Sequence, residues 1–420
     1  MNYGFLLDIA IILISTKIFG LFSGKFHMPQ VVGALVAGLL FGPAFLNIIS
    51  SSQVTSSLAE LGVIVIMFTT GIGTNFEDLK HAGKPGFLVA FMGVVIPLVM
   101  GTGVGFAFGG QDAVKNAFIG VILTATSVSI TVEALKEMGK LSTKVGNTIL
   151  AAAIIDDVLG LVALTLITSF AGEQVNIFAV IIKIVLFFAV VTVLYLIVPK
   201  LFNKYIDYKK QKSLHRYPVA AFVVCLILAY IAEEVFGVAD IIGAFAAGLM
   251  MGATKKAEYI ASKFEPVKYL FLTPIFFASI GLKVKIPALS ASTILFAVVI
   301  IVVAISSKII GCSIGAGICK YKFSECIQIG TGMACRGEVA LIVANKGLVL
   351  GLVSNDIFAA IIVMVVCCAV ITPVLLKIAF KGSKDIPVQN ELLDKIESKD
   401  QIEIISDSLI DRDKELKTKN

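Results

Sequence analysis

The run VVGALVAGLLFG, from Val31 to Gly42, returns 210 residues further on as IIGAFAAGLMMG, from Ile241 to Gly252. Six of the twelve positions are identical: Gly33/Gly243, Ala34/Ala244, Ala37/Ala247, Gly38/Gly248, Leu39/Leu249 and Gly42/Gly252. With no gap, the same offset pairs Gly71 with Gly281, Gly101 with Gly311, Gly105 with Gly315, and Ile119-Gly120 with Ile329-Gly330. A register held over so long a stretch marks an internal repeat. The surrounding sequence is apolar, with 58% hydrophobic and 15% charged side chains in 420 residues and a mean hydropathy of +0.96. Soluble domains are only about half apolar. The chain is therefore an integral membrane protein. Apolar runs of about 20 residues, enough to span the hydrocarbon layer, leave no stretch for a soluble catalytic domain and exclude a membrane-anchored soluble enzyme.

Hydropathy and helix breakers predict an all-helical architecture of about thirteen spans, near 4–22, 29–49, 55–73, 86–109, 113–137, 143–169, 176–198, 217–236, 238–252, 266–282, 291–318, 324–346 and 353–379. The first run has no basic leader region or small-residue cleavage site and reads as a retained helix. Loops after odd-numbered spans hold eighteen Lys and Arg residues; even-numbered loops hold four, Lys115, Lys283, Lys285 and Lys346. That bias places the odd loops and the C-terminus in the cytoplasm and the N-terminus outside. Spans 1 to 6 correspond to spans 8 to 13, and an offset of seven spans turns the second unit upside down. Inverted-topology repeats are the architecture of many secondary transporters, with the site at the midplane between them.

The seven cysteines all lie in or beside apolar segments, with no disulfide framework or zinc spacing. Cys312, Cys319 and Cys326 recur every seven residues as small residues on one helix face. The net charge of +6 calls for no nucleic-acid partner. His27, His81 and His215 fall in basic loops and read as solvated. The polar tail, 381–420, carries ten acidic and eight basic residues. Its Leu392, Leu393, Ile396, Ile402, Ile405 and Leu409 fit either a short amphipathic helix or a solvated segment, and it is too short for a nucleotide-binding domain.

The functional residues are the charges at mid-depth. Asp156 and Asp157 sit at the centre of the sixth span, where an aspartate costs roughly 2.5–3.5 kcal/mol on insertion scales. Neighbours on a helix point about 100° apart, so the two carboxylates have different tasks. Lys308, in the eleventh span, is open to two readings: a lysine that snorkels to the interface, or a countercharge to one aspartate. The twelfth span is interrupted by Arg336-Gly337-Glu338, and the segment 210 residues earlier, Thr124 to Ser129, interrupts the fifth. Facing discontinuous helices build ion sites from freed backbone groups, which makes Thr126 and Ser127 candidate ion ligands; a continuous helix with hydroxyl back-bonding is the other reading of the fifth span. Arg336 and Glu338 are expected to be structural charges that hold the half-helices. Asp156, Asp157, Glu338, Lys308 and Arg336 sum to −1 when ionised. The surplus carboxylate binds either a proton or a small cation, and competition between the two is the logic of cation/proton exchange. Glu233-Glu234, Asp8, Lys17 and Glu133 lie nearer the interfaces.

The run TATSVSITVEALKEMGKLSTKVGNTILAAAIIDDVLGL (Thr124–Leu161), with Lys308 and GMACRGEVALIVA (Gly332–Ala344), resembles the sodium/proton exchanger superfamily. Within it, the chain is similar to the bacterial monovalent cation:proton antiporter-2 family over spans 1 to 13. The resemblance implies a homodimer in which each protomer has a first repeat at 4–170, a linker helix at 176–198 and a second repeat at 217–380. Core helices at about 86–169 and 291–379 would carry the ion by an elevator-like movement against dimerisation helices at about 4–73 and 217–282. Asp157 would be the principal ion and proton carrier. Asp156 would be its neighbour in the Na+ site, salt-bridged to Lys308 when sodium is absent. The Asp-Asp pair with the lysine is the pattern of electrogenic exchange, two protons for one sodium. Electroneutral relatives tend to carry Asn-Asp, and glutathione-gated potassium efflux members Gln-Asp with a long nucleotide-binding tail; this chain departs from both.

The expected function is a sodium/proton antiporter of a bacterial plasma membrane. It needs no cofactor: Na+, Li+ or K+ and protons are its substrates, and the lipid bilayer and a second copy of the chain its partners. A potassium/proton or germination-type antiporter on the same scaffold is the alternative. An intramembrane aspartyl protease needs its two aspartates on separate facing helices, whereas Asp156 and Asp157 are adjacent and Asp240 lies near an interface. A sodium-coupled organic-anion symporter would not need the central Asp-Asp and lysine, and a channel would not need the inverted repeat.

Overall fold

The computed structural model describes residues 4–25, 28–49, 52–108, 110–170, 177–208, 216–284 and 291–381, with the Glu338 side chain outside that description. The stretch from Leu392 to Leu409, His27 and His215 lie outside the described residues. The described residues form helices joined by turns. In chain order they are α1 (Gly4–Lys25), α2 (Gln30–Phe41), α3 (Gln53–Ile72), α4 (Phe76–Phe108), α5 (Ala113–Thr124), α6 (Val128–Glu137) and α7 (Lys144–Phe170). They continue through α8 (Ile177–Tyr208), α9 (Arg216–Tyr230), α10 (Asp240–Gly252), α11 (Ala257–Val267), α12 (Thr273–Leu282), α13 (Ala291–Ile318), α14 (Phe323–Gly332), α15 (Glu338–Val349) and α16 (Asn355–Ala379). A π-helical turn, Ile231–Phe236, extends α9, and a second, Lys268–Leu272, joins α11 to α12. Nine of the described helices are long and apolar enough to cross a membrane, counting α5 and α6 as one. The remaining passes are short or interrupted: α2, α10, α11 with α12, and α14 with α15.

Helix boundaries repeat with the sequence offset. The helices α5 and α14 begin at Ala113 and Phe323, α6 and α15 at Val128 and Glu338; α3 and α12 end at Ile72 and Leu282, α4 and α13 at Phe108 and Ile318. Each of these pairs is separated by 210 residues. Local caps set several starts. The Ser52 hydroxyl accepts from the Thr55 N–H at α3, and the Asp112 carboxylate accepts from the Val114 and Lys115 N–H groups at α5. Hydropathy misplaces some ends. The chain leaves the second span at Phe41, before the Gly42-Pro43 turn, and α4 begins at Phe76, ten residues ahead of the apolar run, on a polar first turn holding Glu77 and Asp78.

Glycines of the repeat are where helices touch. A Cβ on Gly38 would collide with the Ala278 backbone of α12, and one on Gly281 with Leu39 and Gly38 of α2. In the second crossing, Gly248 of α10 lies against Phe68 and Gly71 of α3, and Gly71 against Phe245 and Gly248. Small residues allow this close approach between membrane helices, where burial from water supplies no driving force. Gly38→Leu or Gly248→Leu is therefore expected to lower thermal stability in detergent by about 1–3 kcal/mol or more. Gly103→Leu, where nothing stands within 4 Å, should leave the melting midpoint near wild type.

The helices pack in two sets. The long α4 lies against α5, α7 and α13, and α13 against α14 and α16; α2 lies against α1 and α12, and α10 against α3 and α9. Contacts between the sets include α2 and α3 against α6, α2 against α16, and Lys136 of α6 against Glu265 of α11. The helix α8 touches α7 and α10 and presents Phe178, Ile182, Val185 and Leu196 outward, as a lipid-facing helix does.

Candidate functional site

Two interrupted helices cross at mid-depth. The first stops at Thr124, continues extended through Ala125, Thr126 and Ser127, and resumes at Val128; the second stops at Gly332 and resumes at Glu338. Groups freed at the breaks bond across the crossing. The Ser127 N–H donates to the Cys335 carbonyl at 2.9 Å, and the Thr131 hydroxyl to the Gly332 carbonyl at 2.8 Å. This answers the requirement that backbone polar groups inside a membrane be satisfied within the protein. The continuous-helix reading of the fifth span is thereby replaced by a broken one.

Arg336 is fully buried at this crossing. Its Nη1 donates to the Ala125 carbonyl at 3.0 Å and its Nη2 to the Ala304 carbonyl of α13, also at 3.0 Å. The guanidinium thus pins one break to the other and both to α13, its charge facing the carbonyl end of α5, where the helix dipole is negative. Thr126, which precedes Arg336 by 210 residues, places its hydroxyl 3.5 Å from Nη1. Gly337 leaves room for Ser127: a Cβ there would lie 2.6 Å from the Ser127 Oγ. We expect Gly337→Ala to cut ion exchange at least tenfold, as about 1.4 kcal/mol of misalignment would. Adding Ser127→Gly, which removes the contacted side chain, should restore part of the accompanying loss of thermal stability.

Lys308 is also fully buried, so it does not snorkel. Its Nζ donates to Asp156 Oδ1 at 2.6 Å and to the Thr124 carbonyl at 2.9 Å. It thereby joins α13 to α7 and to the carbonyl end of α5. Gly93 of α4 makes space for its stem: a Cβ there would lie 2.6 Å from Cys312 Sγ and 3.4 Å from Lys308 Cε. Asp156 is 2% exposed. Asp157, one position on along α7, is half-buried. The neighbouring turns of α7 carry Ile154, Val158, Leu161 and Val162, packed on Ile184 and Phe187 of α8 and Ile242 of α10. Two neighbouring carboxylates on one helix are thus held differently: Asp156 is buried and bonded to a lysine, while Asp157 is half-buried.

The structure brings Asp156, Lys308, Thr124, Thr126, Ser127 and Arg336 into one bonded crossing. Glu338 opens α15 at the same place. Gly93, Thr131 and the carbonyls of Thr124, Ala125 and Ala304 escaped sequence reasoning. A glycine in an apolar span was the only signal for Gly93, and a backbone acceptor leaves none. Among the described residues, no group of three or more His, Cys, Asp or Glu side chains could hold a metal ion.

The sequence matches the family described as sodium/hydrogen exchanger, transmembrane, over residues 10–382. It is 38% identical to a probable Na(+)/H(+) antiporter of Bacillus cereus, GerT, over 89% of this chain and 98% of that protein. It is 37% identical to the Na(+)/H(+)-K(+) antiporter GerN of the same organism, over 92% and 98%. A Na(+)/H(+) antiporter of Enterococcus hirae is 33% identical over 88% and 96%. Among solved structures, the sodium proton antiporter MjNhaP1 of Methanocaldococcus jannaschii superposes with a TM-score of 0.67 at 18% identity, covering 90% of this chain and 99% of that one. That likeness establishes the fold: an all-α membrane protein of two inverted repeats whose discontinuous helices cross. With a family match over nearly the whole membrane region and relatives of this identity and coverage, the chain belongs to the sodium/hydrogen exchanger family.

Proposed function

We propose that the protein is an electrogenic antiporter that exchanges cytoplasmic Na+ for external H+ across a bacterial plasma membrane. The observation that carries this reading is the buried Lys308–Asp156 pair beside half-buried Asp157, at the junction of two broken helices. Asp157 is the less buried of the two carboxylates, and in a low-dielectric site it holds a proton or a cation in turn. Asp156 exchanges its lysine partner for the cation when sodium enters, with Thr126 and Ser127 lining the same break. Arg336 keeps the half-helices in register throughout, with Glu338 as the accompanying structural charge at the start of α15.

The set α4–α7 and α13–α16 carries the ion past α1–α3 and α9–α12 in an elevator-like movement, with α8 linking the two. The latter set forms the contact with a second copy of the chain. The N-terminus is outside and the C-terminus cytoplasmic, a reading supported by the bias of Lys and Arg among the loops. A potassium/proton antiporter is the second reading, favoured by the Bacillus cereus relative named for both Na(+) and K(+).

Proteoliposomes with an internal pH dye test this. Sodium added outside should drive proton flux in the opposite direction, and a membrane-potential clamp should change its rate. Flux with potassium alone moves the function to the second reading, flux indifferent to potential removes electrogenicity, and no flux with sodium, lithium or potassium overturns both.

A further inference from the structure

A second group of charges, away from the ion site, joins the two sets of helices. The last turns of α6 carry Glu133, Lys136 and Glu137. Lys136 Nζ donates to Glu265 Oε1 of α11 at 2.8 Å. Lys268, turned inward by the π-helical turn and 2% exposed, donates to the same oxygen at 2.9 Å. Glu137 reaches α2, where its two carboxylate oxygens accept the N–H groups of Gln30 at 2.5 Å and Val31 at 3.2 Å. These amides open α2 and have no partner within the helix. Glu133, 8% exposed, stands among them with one carboxylate oxygen buried and without a hydrogen bond among the described residues. With all five ionised the group carries a charge of −1.

This group holds the far end of the half-helix that leaves the ion site at Ser127. Ten residues of helix make α6 a rod of about 15 Å, so its two ends move together. The charges thus couple the ion site to α2 and α11, in the set on which the proposed function has the core slide. Two lysines sharing one carboxylate oxygen, with a third carboxylate left short of donors, make a poor permanent strut but a bond that trades partners readily.

We propose that Glu133, Lys136 and Glu137 of α6, with Glu265, Lys268 and the α2 N-terminus, form an ionic latch that opens and recloses in every exchange cycle and limits its rate. The proposal rests on the antiport reading and is tested beside it. Glu265→Gln and Glu137→Gln are compared with wild type and with Glu77→Gln, which touches only the exposed surface pair with Lys80. Hydrogen–deuterium exchange of lipid-nanodisc samples reports the Gln30 and Val31 amides, and vesicle flux reports turnover.

Both latch variants are expected to expose these amides, with exchange at least about tenfold faster than wild type: Glu137→Gln by loss of its own charge-assisted bonds, Glu265→Gln by release of the end of α6 that carries Glu137. They should also raise flux at saturating ion several-fold, with the half-saturating concentration changed by less than about twofold because the ion site is intact. Glu77→Gln should match wild type in both. Unaltered amide protection in both variants overturns the latch. Faster amide exchange with unchanged or lower flux identifies a static strut and also overturns it. If the wild type moves no ion, the antiport reading fails and the cycle role with it, and the amide arm then reports only the contact.

Discussion

Asp157→Asn is expected to reduce sodium-driven proton flux to that of protein-free vesicles while the protein remains folded. Asparagine keeps the shape and polarity of the side chain, with an NH2 donor in place of one acceptor oxygen, but neither ionises nor takes up a proton. It therefore cannot alternate between the two substrates. Asp157 is only half-buried, and the substitution leaves the Lys308–Asp156 pair in place. The melting midpoint should consequently stay close to wild type, within the range usual for tolerated substitutions, about 0.5 kcal/mol. Loss of flux accompanied by loss of folding would point to a structural Asp157 instead.

Lys308→Met is the second large effect, and it acts on stability. Removing the lysine leaves Asp156, 2% exposed, without the ammonium 2.6 Å away, and leaves the Thr124 carbonyl without its donor. Breaking one side of a buried ion pair costs about 3–5 kcal/mol, because the other charge stays buried and uncompensated. The single variant should unfold at a much lower temperature in detergent. Lys308→Met combined with Asp156→Leu should recover most of that loss, since an apolar replacement of a whole buried pair is often neutral or stabilising. Yet the double variant should not regain transport. Stability recovered without flux separates the pair's role in holding α13 to α7 from its role in the cycle. A single variant as stable as wild type would contradict the buried geometry.

Much of the fold was legible because membrane helices obey few rules. The glycines at Gly38, Gly71, Gly248 and Gly281 were visible as a repeat, and in the structure they are the points where α2 meets α12 and α3 meets α10. The mid-depth charges were legible for a related reason: an aspartate or lysine in hydrocarbon is costly enough to need a purpose. What escaped was set by partners. Nothing in the sequence says that Lys308 also bonds the Thr124 carbonyl, or that Arg336 holds the carbonyls of Ala125 and Ala304, because every residue has a carbonyl. The early start of α4 escaped because its first turns are polar and hydropathy registers only the apolar part. The Glu265 junction escaped because Lys136 lies far in sequence from Glu265 and Lys268, all at the ends of apolar segments where charges are common; only the packing of α6 on its neighbours brings them together.

Competition between cation and proton at Asp157 is the claim on which the rest depends, and it can be measured without transport. Sodium is added to purified protein in weakly buffered detergent solution while released protons are counted, with calorimetry in two buffers of different ionisation enthalpy as the check. The account predicts that sodium binding releases protons from the wild type and that Asp157→Asn abolishes both binding and release. Sodium binding without proton release, or release that persists in Asp157→Asn, would contradict it.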